Sequence, residues 1–231
     1  MSVYYYLKKE PKVLKTYPKK FLGYSSFGLF FLGLIFLANA FWPIISYEVK
    51  SRRFIKPQLI SPVSVLGEST TVVDYSRPST WFPTAPSLPP KPSKITHYTL
   101  SIPKLKIEKA VVEIGGEDLM KSLILYPGTA LPGQYGNTVV FGHSTLPQFF
   151  NPKNYKTIFS TLPTLEKGDE IFIGFDGVLY KYQVIGLQEV SPEDVTVLEQ
   201  HYDSEYLSLI TCVPPGTYLR RLVVTAKLIR F

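Results

Sequence analysis

Residues 207–229 read Leu207-Ser-Leu-Ile-Thr-Cys-Val-Pro-Pro-Gly-Thr-Tyr-Leu-Arg-Arg-Leu-Val-Val-Thr-Ala-Lys-Leu-Ile229. The apolar runs Leu207–Thr211 and Leu222–Ile229 are rich in Leu, Ile and Val, which predicts two β-strands. The Pro-Pro-Gly step between them, at residues 214–216, indicates a turn. Cys212 therefore stands where the first strand ends and the turn begins, a position at which a reactive thiol can be reached.

Similar stretches recur upstream and predict a mostly β domain over residues 95–231, which is long enough for one core. The other predicted strands are Tyr98–Ile102, Lys106–Val112, Asn137–Phe141, Glu170–Gly174 and Val178–Leu187. Helical patterns are short and cover Glu117–Leu123 and Pro192–Gln200, with Ser191 as a candidate N-cap of the second. About eight short strands predict a closed barrel or a sandwich, and closure leaves no strand edge exposed.

An uncharged stretch of 27 residues, from Phe21 to Tyr47, lies near the N-terminus. About 20 apolar residues suffice to span a bilayer as a helix, so residues 21–47 are predicted to be a transmembrane anchor. Six lysines precede it in residues 1–20, which predicts a basic cytoplasmic tail. Ala38-Asn-Ala40 also resembles a signal-peptide cleavage site, so cleavage after Ala40 stays an alternative. Both interpretations place the remaining chain outside the cytoplasm.

The net charge of +7 is concentrated beside this apolar stretch. Residues 1–56 carry a net charge of +8, whereas residues 95–231 carry −2. A basic segment next to an apolar span is typical of a membrane protein, and the acidic balance of the domain argues against nucleic acid as a partner.

Residues 48–94 are predicted to form an extracytoplasmic stalk. Eight prolines and seven serines occur among residues 57–94, and this composition favours extended chain over a packed core. The sequence Trp81-Phe82-Pro83 is the exception. It is either an exposed aromatic pair or a segment that folds back over a site on the domain.

The residue counts exclude several classes of site. One cysteine allows no intramolecular disulfide and no zinc site with two or more thiolates. The acidic residues Glu113, Glu117 and Asp118 lack the spacing of an ion-binding loop, so we predict no metal. No nucleotide-binding motif is present, and we predict no cofactor.

A cysteine, a histidine and two arginines, the residue types needed for thiolate chemistry, occur at ends of the predicted strands. An imidazolium from His143, which follows the strand Asn137–Phe141, would lower the pKa of the Cys212 thiol and could protonate a leaving amine. Arg220 and Arg221 begin the strand after Cys212, and a guanidinium there could donate to an oxyanion. Consecutive strand residues point to opposite faces, so only one of the two arginines can face the thiol.

At these residues the sequence resembles the sortases, the cysteine transpeptidases of the bacterial cell surface. Ser208-Leu-Ile-Thr-Cys212 is similar to the family's T-L-x-T-C motif, with serine in place of the first threonine. Gly136-Asn-Thr-Val-Val-Phe-Gly-His143 is similar to the pattern around the family's histidine, with Phe141 where a small residue is common. Arg221 fits the family's arginine best. The resemblance covers about residues 96–230.

This resemblance implies a sortase-like β-barrel behind one N-terminal transmembrane helix, and an assignment of roles. Cys212 would attack the Thr–Gly carbonyl of an LPxTG-like sorting signal, Arg221 would hold the oxyanion or a substrate carbonyl, and His143 would act as acid and base. Thr211 would position substrate by its backbone or by its hydroxyl. The implied partners are surface proteins bearing a C-terminal LPxTG-like signal, and an amine from a peptidoglycan precursor or a pilin.

Two rival interpretations stay open. An L,D-transpeptidase would place His, Gly, Cys and Arg within a few residues, whereas His143 and Cys212 are 69 residues apart. A non-catalytic barrel that binds sorting signals as a scaffold would bind such peptides without cutting them.

Overall fold

The computed structural model describes Met1 and residues 19–54, 74–85 and 93–230. The chain divides into two compact units, Met1–Trp42 and Pro43–Phe231. Helix α1 runs from Lys19 to Phe54, so it continues past residue 47, where we predicted the anchor to end. Most of the predicted basic tail and stalk lies outside the described residues, at 2–18, 55–73 and 86–92.

Helix α1 has the composition expected of a membrane span. Its segment Ser26–Ser51 has a mean hydropathy of 2.0 and is long and apolar enough to cross a bilayer. Its large apolar side chains, such as Phe30, Leu34 and Phe36, are more than half exposed, as suits a helix whose apolar surface faces lipid rather than a protein core.

Eight strands in the second unit form a closed barrel, which confirms the predicted barrel and sets aside the sandwich. They are β1 His97–Ile102, β2 Ile107–Ile114, β3 Leu123–Leu125, β4 Gly136–Phe141, β5 Glu170–Phe175, β6 Val178–Val190, β7 Glu205–Val213 and β8 Arg220–Ile229. Around the barrel the strands follow the order β1-β2-β3-β4-β7-β8-β6-β5. The pairs β2–β3 and β4–β7 are parallel, and the others are antiparallel.

Strand alternation divides the apolar residues between two cores. Leu207 and Leu209 of β7, with Leu222 and Val224 of β8, point into the barrel and belong to its interior core. Ile210, on the opposite face of β7, belongs to a second apolar cluster on the outside of the barrel. Strand β7 is therefore buried on both faces, as its nearly continuous apolar sequence indicates.

Both helix predictions in the domain were wrong. Residues 117–122 form an irregular segment with a turn at residues 119–121, and Leu123–Leu125 is strand β3, which pairs in parallel with β2. All three of its residues are buried, so they show no period of two from which a strand could be recognised. The second predicted helix is reduced to one 3₁₀ turn, Val195–Leu198. Asp194, rather than Ser191, caps that turn by accepting a hydrogen bond from the Thr196 amide.

Gly142 joins the end of β4 to His143 at a point without space for a side chain. A Cβ atom on Gly142 would lie 2.4 Å from Phe159 Cδ2 and 2.6 Å from Leu123 Cδ2, both atoms of the buried core. This close approach lets the Gly142 amide donate to the Ile210 carbonyl of β7 over 3.1 Å. The glycine therefore brings the residue that follows it, His143, against β7.

We expect Gly142→Ala to destabilise the domain by about 1–3 kcal/mol, because the added methyl group overpacks rigid core side chains. Urea unfolding of the detergent-solubilised chain, followed by tryptophan fluorescence, measures the change. Gly186→Ala is the matched control, since a Cβ there meets no atom of the described residues within 4 Å. Equal effects of the two substitutions would contradict this account of Gly142.

Candidate active site

Cys212 and Arg221 form a directly opposed pair across two antiparallel strands. Cys212 is the next-to-last residue of β7, and Arg221 is its register partner on β8. Directly opposed residues in an antiparallel pair point to the same face of the sheet. Leu222, the next residue of β8, faces the barrel interior. The thiol and the guanidinium therefore lie together on the outside of the barrel.

His143 lies beside this pair at the end of the neighbouring strand. Strands β4 and β7 are parallel, and Phe141 lies opposite Ile210. His143 comes two residues after Phe141 and Cys212 two residues after Ile210, so the two lie at the same level along the neighbouring strands. The Ser144 hydroxyl donates a hydrogen bond of 2.6 Å to the Cys212 carbonyl, which fixes this segment against β7. The structure thus brings His143, Cys212 and Arg221 together across three adjacent strands.

The Thr211 side chain is bonded to the strand next to β7. Its side chain is fully buried, and its hydroxyl donates a 2.7 Å hydrogen bond to the Gly142 carbonyl. The hydroxyl is therefore bound to the neighbouring strand in this structure, and positioning of substrate by the Thr211 backbone stays a prediction. The Thr211 bond to Gly142 and the Ser144 bond to the Cys212 carbonyl thus join β7 to the residues directly before and after His143.

The two arginines have separate environments. Arg221 is 1% exposed, and its guanidinium donates to the Tyr218 carbonyl over 3.0 Å and to the Trp81 carbonyl over 3.1 Å. Arg220 instead pairs with Glu189 over 2.9 Å and with Glu48 of α1. Arg221, not Arg220, is thus the arginine opposite the thiol.

Residues 74–85, here called the cover segment, close the site from outside. Trp81 and Phe82 are 0% and 1% exposed. The Trp81 ring lies 5.8 Å from the His143 ring and 5.5 Å from the Arg221 guanidinium carbon. Of the two readings of Trp81-Phe82-Pro83, the structure shows the one in which the segment folds back over the domain.

The cover segment is held by hydrogen bonds as well as by apolar contact. The Trp81 indole donates to the Tyr75 carbonyl over 2.8 Å, and the Leu119 amide donates to the Ser76 carbonyl over 3.0 Å. Tyr75 also stacks on Tyr218, with ring centres 4.1 Å apart. Sequence reasoning missed these partners. The one signal for them was a tryptophan and a phenylalanine in a segment otherwise rich in proline and serine.

Burial under the cover segment disfavours charge on both reactive groups. It raises the pKa of the Cys212 thiol to about 11, although the nearby Arg221 guanidinium acts in the opposite direction. Burial also lowers the pKa of His143, against the opposing influence of the Asp118 and Asp74 carboxylates. With the site covered, a neutral thiol and a neutral imidazole therefore predominate near neutral pH.

The site offers donors without partners but no evident metal ligands. Among the described residues, the buried atoms His143 Nε2 and Arg221 Nε have no hydrogen-bond partner. Within those same residues, no group of three or more His, Cys, Asp or Glu side chains is arranged to hold a metal ion. The arrangement sets a thiol, an imidazole and a fixed guanidinium beside one another, a set of groups that can carry out acyl transfer through a thioester.

Comparison with known proteins identifies relatives of the barrel. A family model described as Sortase domain matches residues 100–229. Sortase A of Bacillus anthracis is 32% identical over 133 residues, which cover 56% of this chain and 58% of that protein. Sortase A of Staphylococcus aureus is 29% identical over 143 residues, which cover 55% of this chain and 59% of that protein. The match thus spans about three fifths of each relative.

Solved structures give the same result. Sortase A from Corynebacterium diphtheriae, in a lid-mutant form, aligns with a TM-score of 0.52 at 28% identity and covers 61% of this chain and 74% of that chain. Sortase C-1 from Actinomyces oris aligns with a TM-score of 0.53 at 25% identity, and the alignment covers 66% of this chain and 94% of that chain. The similarity in both cases includes the barrel.

We expect Trp81→Ala to make Cys212 more reactive towards iodoacetamide. Loss of the ring exposes the thiol, so its pKa falls from about 11 towards the ordinary value of 9.0, and the reactive thiolate fraction at pH 8 rises by up to about 100-fold. The rate is measured by intact mass, and its pH dependence gives the pKa. The chain has one cysteine, so labelling reports on this site alone.

Tyr202→Ala is the matched control, because it removes an aromatic ring that is 66% exposed and lies outside the cover segment. Its labelling rate should stay within about twofold of the parent rate. An unchanged rate in Trp81→Ala would show that the ring does not limit access to the thiol.

Proposed function

Because the chain belongs to the sortase family, we propose that it is a membrane-anchored cysteine transpeptidase that cleaves an LPxTG-like sorting signal and transfers the acyl group to an amine. The observation that carries the proposal is the register of β4, β7 and β8, which aligns His143, Cys212 and Arg221 on one face. Within the described part of the chain, two of these three groups keep a buried polar atom without a hydrogen-bond partner.

In the proposed reaction, the Cys212 thiol gives its proton to His143, and Cys212 Sγ attacks the carbonyl carbon of the Thr–Gly bond in the signal. His143 protonates the amine of the departing glycine, so the peptide bond breaks and a thioester remains on Cys212. An incoming amine then attacks the thioester carbonyl and loses a proton to His143. Expulsion of the Cys212 thiolate restores the enzyme, and the new amide bond replaces the one that was cut.

Arg221 is proposed to stabilise the oxygen of the carbonyl under attack or a neighbouring substrate carbonyl. It already donates to a peptide carbonyl, that of Trp81, over 3.1 Å. A guanidinium keeps its positive charge in such a buried position, so it can stabilise an oxyanion by hydrogen bonding without a change in its own protonation. The cover segment must leave before a substrate carbonyl can take the place of Trp81.

The proposed arrangement in the cell follows the apolar helix. Residues 1–20 form a basic cytoplasmic tail, residues 21–47 the anchor, residues 48–94 an extracytoplasmic stalk whose residues 74–85 fold back over the site, and residues 95–231 the catalytic domain. The apolar span in α1 supports the anchor. The proposed partners are surface proteins with a C-terminal LPxTG-like signal, and an amine of a peptidoglycan precursor or a pilin. No nucleic acid is involved.

We expect Cys212→Ala to abolish cleavage of quenched LPxTG-like peptides by the detergent-solubilised chain. His143→Ala and Arg221→Ala should each lower kcat/KM by at least about 100-fold, as is typical for loss of an acid–base or oxyanion group. The assay is run with and without a glycine-type amine. Formation of the amide product only when the amine is present distinguishes transfer from hydrolysis.

Arg220→Ala is the matched control for Arg221→Ala, because Arg220 pairs with Glu189 and Glu48 and not with the thiol. Its kcat/KM should fall by less than about tenfold. A larger loss in Arg220→Ala than in Arg221→Ala would overturn the assignment of the arginine. Binding of the peptides without cleavage, also in Trp81→Ala, would favour the scaffold alternative over the enzyme.

A further inference from the structure

The last turns of α1 have one covered face. They belong to the same compact unit as the eight strands, which begins at Pro43. Four of their residues, at the spacing of a single helix face, are half-buried or buried: Ile44, Tyr47, Glu48 and Ser51. Ile45 and Val49, on the other face, are 54% and 56% exposed. The end of the helix is therefore packed on one side only.

Tyr47 lies against the barrel at the end that carries the site. Its ring packs against the interior core, and its hydroxyl donates to Glu189 Oε1 over 2.5 Å. Glu189, in β6, is the register partner of Leu222, which faces the barrel interior, so the carboxylate points to the inner side of the wall. A carboxylate that is 9% exposed requires hydrogen-bonding partners, and Tyr47 supplies one of them.

Arg220 supplies the other partner and binds the helix a second time. Its guanidinium pairs with Glu189 over 2.9 Å and with Glu48 of α1. The Glu189 side chain is 8% exposed, so this pair is far better shielded from solvent than an ordinary surface ion pair. One arginine thus joins β6, β8 and the end of α1.

This network lies directly beside the Arg221 guanidinium. Arg221 follows Arg220 in β8, and its guanidinium donates to the Arg220 carbonyl over 3.4 Å and to the Tyr218 carbonyl over 3.0 Å. On β6, Val190 comes directly after Glu189 and is the register partner of Arg221. A shift of Arg220 or Glu189 therefore moves the backbone on two sides of Arg221.

The uncharged stretch is long enough for a membrane span and for this contact. It covers 27 residues, from Phe21 to Tyr47, and about 20 are needed to cross a bilayer. The turns from Ile44 onward can therefore lie outside the hydrocarbon, where the charge of Glu48 carries no cost. Helix α1 continues to Phe54, so one helix can both cross a membrane and contact the barrel.

We propose that the end of α1, residues 44–51, is a positioning element of the active site, in which Tyr47 and Glu48 hold Arg221 opposite Cys212 through Glu189 and Arg220. The inference rests on the proposed function, from which the role of Arg221 is taken. It assigns the membrane helix a task beyond anchoring, because detachment of its end releases the start of β8. Tyr47 and Glu48 touch no reacting group and act only through Arg221.

The first test measures cleavage of an LPxTG-like peptide by the full chain in detergent. Tyr47→Ala removes the ring contact and the bond to Glu189, and should lower kcat/KM about fivefold, within the range typical of residues coupled by direct contact. Tyr47→Phe keeps the ring and should stay within about twofold of the parent. Val49→Ala is the matched control, since Val49 lies on the exposed face of the same turn, and should leave kcat/KM unchanged.

The second test does not depend on peptide cleavage. Burial raises the pKa of the Cys212 thiol, and the Arg221 guanidinium opposes that rise. Withdrawal of the guanidinium therefore slows labelling by iodoacetamide at pH 8, whereas general loosening of the barrel exposes the thiol and speeds labelling. In the Trp81→Ala background, Tyr47→Ala should slow labelling about threefold, and it should have no effect once Arg221→Ala is added. Thermal unfolding checks that each variant is folded.

The two tests separate this inference from the proposed function. Labelling that is unchanged or faster in Tyr47→Ala, or a kcat/KM equal to that of Val49→Ala, would overturn the inference, while cleavage by the parent upholds the enzyme. If the folded parent cuts no peptide and Tyr47→Ala still slows labelling, the proposed function is rejected and the coupling of α1 to Arg221 stands.

Discussion

The parallel pairing of β4 with β7 is the constraint on which the site depends. These strands are far apart in sequence, and three hydrogen bonds around Gly142 hold their ends in register. The Gly142 amide donates to the Ile210 carbonyl, and the Thr211 hydroxyl donates to the Gly142 carbonyl. The Ser144 hydroxyl donates to the Cys212 carbonyl. Buried hydrogen bonds of this kind are costly to break without replacement. They place an imidazole beside a thiol without any direct bond between the two side chains.

Much of the barrel could be predicted from the sequence because its strands follow simple rules. Alternation and turn residues identified seven of the eight strands, including both that carry Cys212 and Arg221. Strand β3 was missed because its three fully buried residues show no alternation. The two short helix predictions failed because tertiary contacts override weak local propensity.

The site was predictable in part for a similar reason. The proximity of Cys212 and Arg221 follows from a hairpin, which is local, whereas the position of His143 was inferred from a family resemblance. The contacts of Trp81 and Phe82 could not be derived, since the composition around them is typical of extended chain and nothing local indicates what they touch. The hydrogen bond from the Thr211 hydroxyl to the Gly142 carbonyl likewise could not be predicted without the register between β4 and β7.

The cover segment has a kinetic consequence because it is part of the same chain. Only eleven residues, 86–96, separate it from β1, so its effective concentration at the site is of the order of millimolar. A free peptide at micromolar concentration competes poorly with such a tethered occupant. A protein confined with the enzyme to one membrane surface would itself be present at high local density. Under the proposed function, this geometry favours clients in the same membrane over dissolved ones, before any difference in their sequences is considered.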